Sequence, residues 1–153
     1  SGLSLSRQNL PFCQRSEAQV AAIARGGYVL RDCEGTPEII IMATGSEVGL
    51  ALGTAEQLAA DGRKARVVSM PCAEVFDAKS AEYKESVLPR AVRARLAIEA
   101  AASDWWSKYV GLDGAVIGME SFGASAPGKV VFERLGFTVA NALEKARALM
   151  GRI

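Results

Sequence analysis

The chain has 153 residues and half of them are hydrophobic, which is the length and apolar content of one domain with a proper core. Its 18 basic and 17 acidic side chains leave a formal net charge of +1. This balance excludes a global field that would draw the chain to nucleic acid or to an anionic membrane. Histidine, the commonest general base and metal ligand, is absent, so a self-contained hydrolase is not expected.

The remaining composition indicates a soluble intracellular protein. No apolar run approaches the roughly 20 residues that span a bilayer, and the first residues lack the pattern of a signal peptide. We therefore expect a cytoplasmic protein, with an organelle such as a plastid as the alternative. Cys13, Cys33 and Cys72 are scattered and form no C-x-x-C pair, which predicts reduced thiols.

The beginning of the chain predicts its domain organisation. Ser1 and Gly2 are typical of the remnant of an expression tag. We expect residues 1–16 to be this remnant followed by an interdomain linker, and residues 17–153 to form one domain.

The first two predicted strands are joined by a short turn. Residues 27–33 alternate roughly in polarity and predict an edge strand, whereas residues 38–43 form a continuous β-branched run that is typical of a central strand. Residues 34–37 between them are too few for a crossover connection. We therefore expect the edge strand to lie antiparallel to its neighbour in the sheet.

Alternating helices and strands follow. Residues 44–46 predict a turn with a helix N-cap, and the helix that they begin ends at Gly62. Residues 65–70 predict the next strand, and the residues after it, to about Pro89, have a helical pattern. A second strand–helix unit thus follows the first.

Two more strands are predicted at residues 94–100 and 114–119, separated by a helical stretch with Trp105, Trp106 and Tyr109. This aromatic spacing favours core packing or a subunit contact over a base-stacking platform, with one tryptophan near the surface.

The last part of the sequence predicts two helices. Pro127 suits the first turn of one helix, Gly136 ends it, and Thr138 caps the other. Strands that alternate with helices require right-handed crossovers, and these produce parallel pairing. The predicted fold is therefore α/β: a three-layer α/β/α sandwich around a mixed, mainly parallel five-stranded sheet.

The candidate ligand site is a crevice at the carboxyl ends of the strands, formed by Thr44, Gly45 and Ser46. Ligands of open α/β sheets gather at that edge, and the N–H groups of a helix N-terminus attract anions. The segment lacks the signature of a phosphate loop, however, and Glu47 would repel a phosphate. Ordinary capping is the alternative interpretation.

Other polar residues give weaker indications. Glu99 and Glu120 both follow strands and could form a carboxylate pair, but roles as helix caps or ion-pair partners are the favoured interpretation. A loose basic stretch, diluted by glutamates, is interpreted as a solvated face; it comprises Lys84, Arg90, Arg93 and Arg95. The sequence predicts no catalytic residue and no metal site in this chain.

Several segments, in this order and spacing, resemble the C-terminal part of the transketolase family, and the resemblance extends from Leu3 onward. The segments are Leu5-Ser6-Arg7-Gln8-Asn9-Leu10, Ala43-Thr44-Gly45-Ser46-Glu47-Val48, Arg66-Val67-Val68-Ser69-Met70-Pro71, residues 83–89, Tyr109-Val110-Gly111, Phe122-Gly123-Ala124-Ser125-Ala126-Pro127 and Gly136-Phe137-Thr138.

The resemblance implies a homodimeric parent enzyme that transfers a two-carbon ketol unit from a ketose phosphate to an aldose phosphate in the pentose phosphate pathway. It implies thiamine diphosphate and a divalent cation, Mg or Ca, in the full-length enzyme, but no cofactor in this chain, because the family binds both through its other domains. The implied partners are those domains, a second subunit and sugar phosphates.

One site residue follows from the resemblance. The arginine of the family's Ser-Arg-Gln-Asn-Leu segment pairs with the substrate phosphate, and it matches Arg7. The implied role of the domain itself is structural, in the assembly of the dimer, and the chain alone is expected to be inactive. The alternative is a regulatory or small-anion-binding module that uses the crevice at the strand ends.

Overall fold

The computed structural model describes residues 9–123 and 126–151. It contains a single five-stranded sheet in the order β1-β3-β2-β4-β5. The strands are β1 (Tyr28–Arg31), β2 (Ile39–Ala43), β3 (Ala65–Ser69), β4 (Arg95–Ile98) and β5 (Ala115–Ile117). Strands β2 to β5 pair in parallel, whereas β1 pairs antiparallel with β3. The predicted mixed, mainly parallel sheet is confirmed.

Helices surround this sheet. They are α1 (Glu17–Ile23), α2 (Val48–Ala60), α3 (Ala73–Asp77), α4 (Ala81–Val87), α5 (Ser107–Val110), α6 (Gly128–Arg134) and α7 (Val139–Met150). Two short 3-10 turns, Gly45–Glu47 and Asp104–Trp106, lead into α2 and α5. Among the described residues, no helix is both long enough and apolar enough to cross a membrane.

The two faces of the sheet carry separate cores, as strand β2 illustrates. All five of its residues are buried. Ile39 and Ile41 pack with α2 and α7, whereas Ile40 and Met42 pack with residues of α3, α4 and α5. Successive side chains of a strand point to opposite faces, so a continuous apolar run needs a cover on both. The predicted three-layer sandwich is confirmed.

The neighbour predicted for β1 is wrong, although the predicted antiparallel direction is right. The short connection implied pairing with β2, but β2 is flanked on both sides by β3 and β4. The chain after Arg31 instead passes the amino end of β3, where Glu38 N–H donates to the Lys64 carbonyl (2.8 Å) and Lys64 N–H donates to the Glu38 carboxylate (2.8 Å). The seven residues between β1 and β2 are enough to pass one strand, because neighbouring strands lie only about 4.8 Å apart.

Side-chain hydrogen bonds to backbone N–H groups mark where two of the helices begin. Thr138 caps α7 as predicted, because its hydroxyl accepts from the N–H of Asn141 at 3.2 Å. Helix α1 has no counterpart among the predicted elements. It begins with a capping box in which Ser16 and Gln19 satisfy each other's backbone N–H groups. The Gln19 amide also donates to the Leu30 carbonyl at 2.6 Å, which ties α1 to β1.

Candidate functional site

The crevice at the carboxyl end of the sheet begins where β2 ends. Thr44 continues the extended backbone of the strand (φ −134°, ψ 160°), and Gly45 then turns the chain with a φ of +55°. This left-handed conformation is readily available only to glycine. It brings Ser46 and Glu47 to the ends of the strands before α2 begins.

Neither Thr44 nor Ser46 caps the helix. The Thr44 side chain makes no capping hydrogen bond, and Glu47 occupies the N-cap position of α2. The Ser46 hydroxyl instead donates to the Glu47 carboxylate at 2.6 Å. The capping interpretation of residues 44–46 is therefore wrong, because the Thr44 side chain makes no capping bond and Ser46 lies one residue before the N-cap position of α2.

Glu47 is the most buried charged group of the described residues, with 5% of its surface exposed. Burial raises the pKa of its carboxyl group, and the nearby charge of Glu99 adds to that increase. Hydrogen bonds from the Ser46 hydroxyl and from the backbone N–H groups of Ala100 and Glu47 oppose it. The carboxyl ends of β2 and β4 thus bring two acidic side chains within electrostatic reach of each other.

Glu99 is held by two indole rings. The Nε1–H groups of Trp105 and Trp106 both donate to its Oε2 atom, each at 2.8 Å. Trp106 is fully buried and Trp105 partly exposed, and their ring centroids lie 4.1 Å apart. Core packing of the aromatic stretch, with one tryptophan near the surface, is confirmed.

Glu120 has a different partner from Glu99. Its carboxylate accepts from the Ser103 hydroxyl at 2.6 Å. Neither glutamate is an ion-pair partner or a helix cap in the described parts of the chain. The expectation of caps or ion pairs is wrong, because neutral indole and hydroxyl donors satisfy both carboxylates.

Gly45 and Ser46 line a cleft of about 410 Å³ whose other wall is the segment 10–15. Thr44 does not line it. Arg15 does, but its guanidinium donates to the Tyr28 hydroxyl (2.7 Å) and to the Cys13 carbonyl (2.8 Å). The anion crevice of Thr44, Gly45 and Ser46 stays a prediction, and the carboxyl group of Glu47 adjoins it.

The described residues do not fit a thiamine diphosphate site. Residues 9–123 and 126–151 contain no group of three or more histidine, cysteine or acidic residues arranged for a metal ion. The carboxyl group of Glu47, which accepts from Ser46 at the edge of the crevice, would repel a pyrophosphate placed there. All three cysteines are free thiols, as predicted. Arg7 lies outside the described residues.

The fold and this strand-end crevice define the class: an α/β sandwich domain with a mixed five-stranded sheet. A family model described as "Transketolase-like TK C-terminal domain" matches residues 26–138. The chain belongs to this family, which confirms the resemblance found in the sequence.

Individual relatives agree with the family. The chain is 58% identical over 150 residues to Transketolase 1 of Escherichia coli (strain K12) and 57% identical to Transketolase 1 of Vibrio vulnificus (strain YJ016). These matches cover 98% of this chain but 23% of each relative, so the chain spans about a quarter of their length.

Solved structures show the same fold. A transketolase structure from Pichia stipitis, in complex with sedoheptulose 7-phosphate, superimposes with a TM-score of 0.83 at 39% identity, covering 95% of this chain and 21% of that one. Transketolase from Leishmania mexicana gives a TM-score of 0.81 at 38% identity, covering 87% and 19%.

Proposed function

We propose that this chain acts as the C-terminal domain of a thiamine-diphosphate-dependent transketolase, which moves a two-carbon ketol unit from a ketose phosphate to an aldose phosphate in the pentose phosphate pathway. The observation that carries the proposal is the 58% identity to Transketolase 1 of Escherichia coli over 98% of this chain. Transketolase from Pichia stipitis has been solved with xylulose 5-phosphate and with sedoheptulose 7-phosphate, both ketose phosphates. We propose a cytoplasmic location, with an organelle as the alternative.

The proposed role of the domain is structural. Thiamine diphosphate and a divalent cation, Mg or Ca, supply the carbanion chemistry of the enzyme when bound, and they belong to its other domains. Three apolar side chains, Phe12, Leu112 and Phe122, are 91%, 104% and 102% exposed. We propose that contacts with the remaining domains and with the second subunit of a homodimer cover these side chains. Residues 1–16 are the proposed linker, and residues 17–153 the domain.

Arg7 is the residue of this chain that we propose to contact substrate. A guanidinium presents a planar fork of N–H donors that meets two phosphate oxygens at once. Its contact with the terminal phosphate would lie far from the bond that breaks, so its contribution is binding energy and orientation.

Arg7→Ala in the full-length enzyme tests this role. Loss of this charge-assisted contact should lower kcat/KM for phosphorylated sugars by about 10- to 150-fold or more. Unphosphorylated substrates should react almost unchanged. Arg134→Ala removes a matched charge from the exposed end of α6 and should leave both substrate classes unaffected. Equal losses for phosphorylated and unphosphorylated sugars would reject the assignment.

The alternative function is a regulatory or small-anion-binding module. One observation favours it: Gly45 and Ser46 line an open cleft at the edge of the sheet where α/β domains bind ligands. The adjoining carboxyl group of Glu47 opposes it. If the amide resonances of Gly45 and Ser46 shift as an anion is added, and the shifts saturate, the result would support this alternative.

A further inference from the structure

A second cleft, of about 290 Å³, lies on the face of the sheet covered by α3, α4 and α5, and extends to the first residue of β4. Four basic and two acidic side chains line it: Lys84, Arg90, Arg95, Lys108, Asp77 and Glu85. The cleft therefore holds a surplus of two positive charges in a chain whose net charge is only +1.

Arg95 supplies the best-fixed of these charges. Its partly buried guanidinium donates four hydrogen bonds of 2.8 to 3.1 Å, all to backbone carbonyl groups. The acceptors are Leu88, Pro89, Val92 and Tyr109. Among the described ion pairs none includes Arg95. Carbonyl groups orient the guanidinium but leave its formal charge unneutralised. The expectation that Arg95 belongs to a solvated face is wrong.

The two lysines share one acidic residue. Lys108 Nζ lies 2.5 Å from the Asp77 carboxylate, whereas Lys84 Nζ donates to the backbone carbonyl of Asp77 at 3.0 Å. Asp77 thus neutralises at most one of the two ammonium groups.

The remaining acid, Glu85, accepts a hydrogen bond from the Arg90 backbone N–H at 2.9 Å and lies within electrostatic reach of Arg95, but its pairing with the Arg90 side chain is weak. Arg90 Nε lies 3.6 Å from the Glu85 carboxylate, and the Arg90 side chain is 89% exposed. Exposed pairs of this kind contribute little, so Arg90 is free to turn toward an incoming anion.

We propose that this cleft binds a small phosphate monoester, with the phosphate between Lys84, Arg90 and Lys108 and in the field of Arg95. A monoester carries a charge of about −1.5 to −2 at neutral pH, which matches the surplus. Phe76 and Leu88 form the apolar floor against which a short carbon chain packs. This site is additional to the proposed function, because it uses neither Arg7 nor the crevice at Thr44, Gly45 and Ser46.

Titration of the isotope-labelled chain with glycerol 3-phosphate, followed by amide resonances at constant ionic strength, tests the proposal. We expect saturating shifts at Asp77, Lys84 and Lys108 in the millimolar range or tighter, and none with glycerol. The double variant Lys84→Gln with Arg90→Gln should bind about tenfold more weakly or worse. Arg90 is exposed and Lys84 is half-buried, and neither belongs to a core cluster, so the melting temperature of the double variant should stay close to that of the parent chain.

Lys129→Gln is the matched control, since it removes an exposed charge from α6, outside the cleft. It should bind glycerol 3-phosphate with unchanged affinity. Shifts that fail to saturate, that weaken equally in the control, or that saturate only at Gly45 and Ser46 would each overturn the proposal.

Discussion

A buried carboxyl group at the end of a central strand destabilises the fold when it is ionised, and Glu47 is such a group. Its donors, the Ser46 hydroxyl and two backbone N–H groups, offset part of the cost of burial, yet the net effect is a raised pKa. The native state therefore retains a proton at pH values where the unfolded chain, with its ordinary pKa of 4.5, has lost it. Stability must fall as pH rises through that interval.

Glu47→Gln should remove this dependence. The amide keeps an acceptor oxygen for Ser46 but carries no charge, so the variant should gain stability relative to the parent as pH rises from about 4 to about 7. Melting temperatures measured across that range test it. Glu56→Gln, on the exposed side of α2, should leave the profile of the parent unchanged. A difference between Glu47→Gln and the parent that does not vary with pH would contradict the prediction.

At the scale of elements, the segment just before β1 lies in close backbone contact with the beginning of α3. Gly26 has a φ of +83°, and its carbonyl accepts from the Cys72 N–H at 2.9 Å. A Cβ atom at this position would lie 2.3 Å from the Cys72 carbonyl oxygen and 2.5 Å from the Phe76 nitrogen. Both atoms belong to the backbone, so neither can move aside as a flexible side chain would.

Gly26→Ala should therefore cost about 3 kcal/mol or more of unfolding free energy, from the left-handed backbone and the steric overlap together. Gly62→Ala is the control, because Gly62 has a φ of +74° but no atom within 4 Å of the added Cβ. It should cost about 1–2 kcal/mol. Denaturant unfolding of both variants separates the two contributions, and equal losses would show that the overlap is relieved without cost.

The sequence predicts elements whose cause is local. The apolar run of β2, the cap at Thr138 and the termination at Gly136 are all readable from a few neighbouring residues. Helix α1 is predictable in the same way, since Ser16 and Gln19 have the spacing of a capping box. The neighbour of β1 is not predictable from local sequence, because it depends on which strands flank β2. Residues far along the chain decide that.

The features of the candidate site also differ in whether neighbouring residues alone determine them. The turn at Gly45 follows from local sequence, whereas the partners of Glu99 and Arg95 depend on tertiary contacts. Glu99 meets two indoles only because the 3-10 turn Asp104–Trp106 folds back over the end of β4. The spacing of Arg95 in the sequence carries no sign that its guanidinium turns inward to four carbonyl groups.

At the scale of the whole molecule, the chain should be stable but incapable of the reaction. The two cores on the two faces of the sheet predict a single cooperative unfolding transition. With no fitting site among the described residues, the chain alone should neither bind thiamine diphosphate nor transfer ketol units. Calorimetry with the cofactor and a divalent cation tests this, with a full-length transketolase as the positive control. Micromolar binding to this chain would contradict it.

The strand order also sets the sequence of events during folding. β1 pairs with β3, so Tyr28 must meet Ser69, about 40 residues further along the chain. The connection to β2 brings no early hairpin that could hold β1 in place. During synthesis, β1 and the helix α1 that Gln19 ties to it are made before β3, so β1 has no partner strand until β3 has been made. An early strand of this domain therefore enters the sheet only after the chain has passed through β2 and α2.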